Sequence, residues 1–272
     1  MRSSCSQVHR ERRSSLLGSA PDRAEWVFLG LPKPWPSKVE KHQAVRTLAD
    51  ELERLGCRAK VAATTEPGIR VYQWREGRTR YLSASSPPEV ARFLAGNTPA
   101  TCQETFLVCS HGSRDPCCGQ TGPGVIQALR AAGAVAVDCS HLGGHRFAPT
   151  VLAFPWFHCY GNLTPERVEE FLTRLRAGEA QPDFFRGPGY LERLLQVAHG
   201  TLWERTGRPP RELRTLSRGA GFLEVEADGA GYRIEVEEVA YREVASCRDI
   251  PDGETADLVD YRVGGLISLD RA

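Results

Sequence analysis

Two short stretches of this 272-residue chain gather the side chains suited to soft-metal or redox chemistry. The first is Cys109-Ser-His-Gly-Ser-Arg-Asp-Pro-Cys-Cys118-Gly119, and the second is Ser140-His141-Leu-Gly-Gly-His145-Arg-Phe147. Two thiolates and two imidazoles suit a zinc ion or an iron–sulfur cluster. Eight residues separate Cys109 from Cys118, against the two to four of a usual zinc knuckle. A long loop can wrap an object larger than one ion, which favours the cluster. Adjacent side chains seldom bind one metal together, so one of Cys117 and Cys118 is expected to be a ligand.

The remaining candidates have plainer readings. Cys57, Cys102, Cys159 and Cys247 read as small buried hydrophobes on strands or their edges. Cys139 stands beside the second stretch and fits either role. His111 reads as a hydrogen-bonding group rather than a ligand, and His9, His42, His158 and His199 as incidental. The nine cysteines are odd in number, and six crowd between Cys102 and Cys159. Without an apolar secretion signal at the start, that pattern reads as metal or redox chemistry in a reducing compartment, the cytoplasm, not as a disulfide framework.

The elements that must position these side chains follow from periodicity. Residues 26–31 form an apolar run ended by Pro32, as a buried strand would be. Ser37 can cap a helix over 37–55, with Val45, Leu48, Leu52 and Leu55 on one face. Strands are expected at 58–64 and 69–75 and a helix at 88–94, with a boundary at Gly96-Asn97-Thr98-Pro99. A second pass resembles the first. It gives a strand at 105–109, a helix at 124–132, strands at 134–138, 150–155 and 157–161, and a helix after Thr164-Pro165. This order fits an α/β domain of the thioredoxin-like kind, with both ligand stretches leaving one edge of a parallel sheet. Beyond Gly178 a helix at 190–205 precedes alternating strands at 213–216, 221–226, 232–238 and 240–244, with a hairpin turn at Asp228-Gly229-Ala230-Gly231. The expected units are 1–99, 100–180 and 181–272, the last a small α+β appendage without a cluster of chemical residues.

Composition sets the outer limits. Hydrophobic residues make up 41% and charged residues 25%, so the chain can bury a real core and is not disordered. No apolar stretch approaches a membrane span, and a net charge of +1 gives no sign of nucleic acid. The charge is uneven: residues 219–272 carry 13 acidic and 5 basic side chains, the rest 21 and 30. A solvated acidic sheet face accounts for that split, and orientation on a charged partner is the alternative.

The Cys109…Cys118 loop, the His141-x-x-x-His145 pair and Arg146-Phe147-Ala148-Pro149-Thr150 together resemble the sucrase/ferredoxin-like family. Cys5-Ser6, Gly18-Ser-Ala-Pro21 and Trp26…Pro34-Trp35-Pro36 resemble that family's N-terminal part. The resemblance covers residues 5–178. It implies a thioredoxin-like ferredoxin domain over 100–180, preceded by a related α/β segment. It also implies a [2Fe–2S] cluster held by Cys109, Cys118, His141 and His145. No carboxylate pair suited to cleaving a glycosidic bond accompanies the word sucrase.

Four thiolates leave an oxidised [2Fe–2S] cluster with two net negative charges, whereas two thiolates and two neutral imidazoles leave it neutral. In Rieske centres the same exchange lifts the potential from about −400 mV to between about −150 and +300 mV. A relatively high potential follows, raised further by Arg114 and Arg146 if they stay near, and coupled to protons through the imidazoles. The expected role is that of an electron carrier serving redox partner proteins rather than a self-contained enzyme, since no nucleotide-binding glycine fingerprint follows a strand. The alternatives are a cluster-dependent oxidoreductase acting on a small molecule and a structural zinc module. A thiol–disulfide enzyme is disfavoured because no Cys-x-x-Cys occurs.

Overall fold

The structure is a computed structural model that describes residues 4–96 and 101–269, so most of the expected boundary at 96–99 lies outside the described residues. Its fold is mixed α/β. Strand β1 (Glu25–Gly30), helix α2 (Gln43–Arg54) and strand β2 (Lys60–Thr64) form a parallel unit. The antiparallel strands β3 (Ile69–Arg75) and β4 (Arg78–Ala84) and helix α3 (Pro87–Ala95) complete it. Strand β5 (Thr105–Cys109), helix α4 (Pro116–Ala131) and strand β6 (Ala136–Cys139) repeat the parallel unit. Strands β7 (Val151–Phe154) and β8 (His158–Tyr160) and helix α5 (Val168–Arg176) repeat the antiparallel half. Strand β9 (Phe185–Pro188) closes a nine-stranded sheet of order β4-β3-β1-β2-β6-β5-β7-β8-β9.

The two halves meet where β2 and β6 pair, at Thr64 and Cys139. Few backbone bonds make that join. Ser140 N–H donates to Ala63 (2.8 Å), Ala63 N–H donates to Ser140 Oγ (2.9 Å), and Thr64 Oγ1 donates to the Asp138 carbonyl (2.9 Å). Within each half the order is second, first, third, fourth strand, with only the first two parallel. The expected strands at 69–75 and 105–109 coincide with β3 and β5. The sheet as a whole is mostly antiparallel, because β3, β4, β7, β8 and β9 each pair antiparallel with the strand they join.

Helix α6 (Arg193–Thr206) packs Leu194, Val197, Ala198 and Leu202 onto a second sheet made of β10 (Leu213–Gly219), β11 (Phe222–Ala227), β12 (Ala230–Glu243) and β13 (Ala256–Leu269). On β11, Leu223, Val225 and Ala227 point inward in strict alternation. Asp228 and Gly229 turn the β11–β12 hairpin with positive φ at both positions, a tighter turn than the expected 228–231, since Ala230 and Gly231 already belong to β12. The acidic excess is solvated and partly paired. Glu226, Glu224 and Glu237 meet Arg214, Arg233 and Arg262 on exposed cross-strand positions.

Several expectations are corrected. Helix α2 starts at Gln43 with His42 as its cap, after a short 3-10 turn, and not at Ser37. Helix α4 starts at Pro116, well before residue 124. Its first half carries Gly119, Gly122, Pro123 and Gly124, which weaken a helical pattern on paper. The strands expected at 232–238 and 240–244 are one strand, β12. Helix α1 (Cys5–Arg12) and strands β4, β9 and β13 were not anticipated. The buried residues of α1 are Cys5, Ser6 and His9, so no aliphatic period announces it.

Candidate metal centre

Strands β5 and β6 run parallel with Cys109 paired to Cys139, so both ligand stretches leave the same sheet edge. Cys109 is the last residue of β5, and Cys117 and Cys118 lie in the first turn of α4. The chain between them folds back tightly. A Cβ on Gly119 would lie 2.5 Å from the Gly112 Cα, a contact only glycine permits. That approach sets Cys118 beside Cys109 in the core, both essentially without exposure.

The second stretch turns through Gly143 and Gly144, both in the left-handed region, into a short 3-10 turn at His145–Phe147. A Cβ on Gly144 would collide with the Arg186 guanidinium. The His141 and His145 rings lie with centroids 5.3 Å apart. The Cys109 thiol is held well below its ordinary pKa by the neighbouring Cys118 thiol and the His141 ring. Thus Cys118 and His141 both reach Cys109, and His145 lies beside His141, with the cysteines in the core and the histidines at the partly exposed edge.

Supporting groups fix the imidazoles. His145 Nδ1 lies 3.0 Å from Asp115 Oδ2, so Nδ1–H donates to the carboxylate and Nε2 keeps its lone pair. Burial pushes His145 down to about 4, so its ring is neutral near pH 7 and able to bind a metal. His111 is a scaffold residue, as expected. Its Nε2–H donates to the Pro36 carbonyl (3.0 Å) and its Nδ1 accepts from the His141 N–H (3.3 Å). Cys139 is wholly buried, and burial raises its thiol well above the ordinary range. Lys33 pairs with Asp138 at 2.5 Å just behind it.

Sequence reasoning missed Arg186. Its fully buried guanidinium donates to Ser19 Oγ (3.1 Å) and to the Gly143 carbonyl (3.1 Å). Burial lowers it to about 10, so it remains a cation near pH 7, and it feels the charges of Cys118 and Cys109. No local signal marks it, because β9 contributes it from outside both ligand stretches.

The sequence also missed what Cys117 faces. Its sulfur lies 3.6 Å from Cys5 Sγ and 3.2 Å from Asp115 Oδ1, and its thiol donates to the His145 carbonyl (3.3 Å). Cys247, expected as a buried hydrophobe, stands beyond the end of β12 with its sulfur 3.5 Å from that of Cys5. The appendage therefore does bring a chemical side chain to this region. Cys5, Asp115, Cys117 and Cys247 offer ligand atoms that all lie within 4.8 Å of one another.

With this geometry in view, comparison with known proteins places the chain. The sucrase/ferredoxin-like family matches residues 16–187, more than half of the sequence, and the chain belongs to that family. Two curated relatives are named altered inheritance of mitochondria protein 32. The one from Meyerozyma guilliermondii is 32% identical over 99 residues, covering 31% of this chain and 34% of the relative. The one from Candida glabrata is 29% identical over 101 residues, covering 30% and 31%. The chain thus spans about a third of the length of these relatives. No solved structure matches it. No described helix is long and apolar enough to cross a membrane.

Proposed function

We propose that this protein is an electron carrier holding one [2Fe–2S] cluster on Cys109, Cys118, His141 and His145, and serving redox partner proteins. The observation that carries the reading is the convergence of these two thiols and two imidazoles at one edge of β5 and β6. The donor set fits the group. Two buried thiols can supply the charge that a di-iron centre needs, and two neutral imidazoles can complete it. We read β5 to α5 as a thioredoxin-like core and β1 to α3 as its related partner, the units being 1–99, 100–180 and 181–272. We place the carrier in the cytoplasm, where nine free thiols persist.

When bound, the cluster supplies one-electron chemistry. The chain supplies its surroundings. Cys109 and Cys118 anchor the buried side, while His141 and His145 face the surface and give the shorter route for an electron to a partner. Asp115 fixes the His145 ring by accepting the hydrogen bond of its Nδ1–H. Proton coupling follows where that nitrogen titrates differently in the two redox states. The potential should then fall by roughly 60 mV per pH unit in that window, the one-electron tenfold increment. A potential independent of pH throughout the range where the protein stays folded counts against titratable histidine ligands.

The test is purification without air, followed by the visible spectrum with iron and acid-labile sulfide. A red-brown protein with about two of each per chain supports the cluster. A colourless protein with zinc on Cys109 and Cys118 overturns it.

A further inference from the structure

Beside the Cys2His2 constellation lies a second group of donors that it does not use. Cys5 comes from the first turn of α1, Asp115 and Cys117 from the start of α4, and Cys247 from the loop between β12 and β13. We propose that Cys5, Cys117, Cys247 and Asp115 form a structural zinc site distinct from the cluster site.

Geometry is the first argument. Around a tetrahedral zinc with Zn–S of about 2.3 Å and Zn–O of about 2.0 Å, sulfurs stand about 3.8 Å apart and a sulfur and an oxygen about 3.5 Å apart. The Cys5–Cys117 and Cys5–Cys247 sulfurs are separated by 3.6 and 3.5 Å. Asp115 Oδ1 lies 3.2 Å from Cys117 Sγ and 3.8 Å from Cys5 Sγ. Four of the six edges of a tetrahedron of ligands thus have zinc-site lengths to within about 0.3 Å, and all four ligand atoms lie within 4.8 Å of one another.

Charge is the second argument. The Asp115 side chain is 2% exposed, and among the described residues its only ion-pairing neighbour is His145, whose Nδ1 meets Oδ2. Its other partners are neutral donors. Ser246 Oγ donates to Oδ2 at 2.8 Å, and the Cys247 N–H at 3.3 Å. Asp115 occupies the N-cap position of α4, yet its side chain makes no cap hydrogen bond and turns toward the thiols instead. A carboxylate buried among three thiols without a lysine or arginine is costly, and a divalent cation removes that cost. Oδ1 is directed at the sulfurs and Oδ2 at His145, so one carboxylate can serve both sites at once.

Topology is the third argument. Cys5 and Cys247 are 242 positions apart, and both lie outside residues 16–187 that the family match covers. A zinc there ties α1 and the β12–β13 loop to the start of α4, directly over the His145 turn. Closing so long a loop through a metal constrains the unfolded chain most. A zinc on these four residues does not require a cluster on Cys109, Cys118, His141 and His145, and the experiment separates the two.

The full chain is expressed with zinc and iron supplied and purified without air. Zinc, iron and sulfide are then measured on the wild type and on Cys5→Ser, Cys247→Ser and Cys109→Ser. The expected result is one zinc per wild-type chain, lost in Cys5→Ser and Cys247→Ser while iron and the visible spectrum remain. Cys109→Ser should lose iron and keep zinc. Alkylation of the native wild type, read by mass spectrometry, covers the case in which a serine variant fails to fold. Cys5 and Cys247 should resist modification until a chelator strips the zinc. A wild type without zinc overturns the proposal, as does a Cys5–Cys247 disulfide, or zinc that persists in both serine variants. Zinc lost with Cys247→Ser from a chain that never carries iron supports this site and sinks the cluster reading alone.

Discussion

At the scale of single residues, the adjacent thiols of Cys117 and Cys118 touch each other yet reach different further partners from the first turn of α4. Beyond that contact, Cys118 reaches Cys109, while Cys117 reaches Cys5 and Asp115. We expect Cys118→Ala to abolish the visible chromophore and the bound iron. Cys117→Ala should keep both, and the reverse pattern of bleaching would sink the assignment. Arg186 makes a second residue-scale prediction. A unit charge about 10 Å away at an effective dielectric of about 20 is worth roughly 1.7 kcal/mol, or about 70 mV. Arg186→Gln should lower the reduction potential by that order, and Arg186→Lys by much less. Voltammetry showing no difference between Gln and Lys would mean that the buried cation does not act on the redox centre. Changing both His141 and His145 to cysteine should lower the potential further, since two negative charges are added. An unchanged or higher potential in a redox titration would refute histidine ligation.

At the scale of elements, the site depends on how closely the start of α4 approaches the loop after β5. Gly119→Ala gains up to about 1 kcal/mol of helix propensity but forces a methyl to 2.5 Å from Gly112 Cα. Overpacking of that kind costs typically about 1–3 kcal/mol, so the clash should win. Urea unfolding should show net destabilisation together with a lower cluster content, and a more stable variant would disprove the argument. The same stretch shows what could be read from sequence and what could not. That Cys109, Cys118, His141 and His145 would share one sheet edge was legible, because both stretches follow strands with a parallel pattern. Strands β3 and β5 were legible because their apolar runs are bounded by turn residues. The start of α4 was not, because glycines chosen for close approach look like a loop. Helix α1 and Cys247 were not, because their partners lie more than a hundred residues away. A burial pattern made of Cys, Ser and His carries no period.

At the scale of the whole molecule, helix α6 is the joint between the two sheets, and a buried histidine pair sits at that joint. His199 on α6 and His158 on β8 lie with ring centroids 5.4 Å apart, enclosed by Phe185 and Trp203. Desolvation lowers His158 well below its ordinary range and His199 to about 3. Both are therefore neutral in the folded protein at moderately acid pH, while the unfolded chain takes up protons on both below about 6.5. The folded-state pKa values are depressed, so the unfolded state binds more protons as pH falls. The stability is present above about pH 6.5 and is lost on acidification. For two such groups the limiting slope is about 2.7 kcal/mol per pH unit between roughly pH 6 and 4. His199→Leu keeps an apolar side chain at the joint and removes one titrating group. Carboxylates titrate in the same range in both proteins, so the comparison isolates the histidine. Denaturant unfolding of wild type and variant at pH 7 and pH 5 should show the wild type losing more stability between the two, by about 1.4 kcal/mol per unit over the steep part. Equal losses would show that the pair does not control the joint. The acid sensitivity would then lie elsewhere, in the carboxylates of the second sheet.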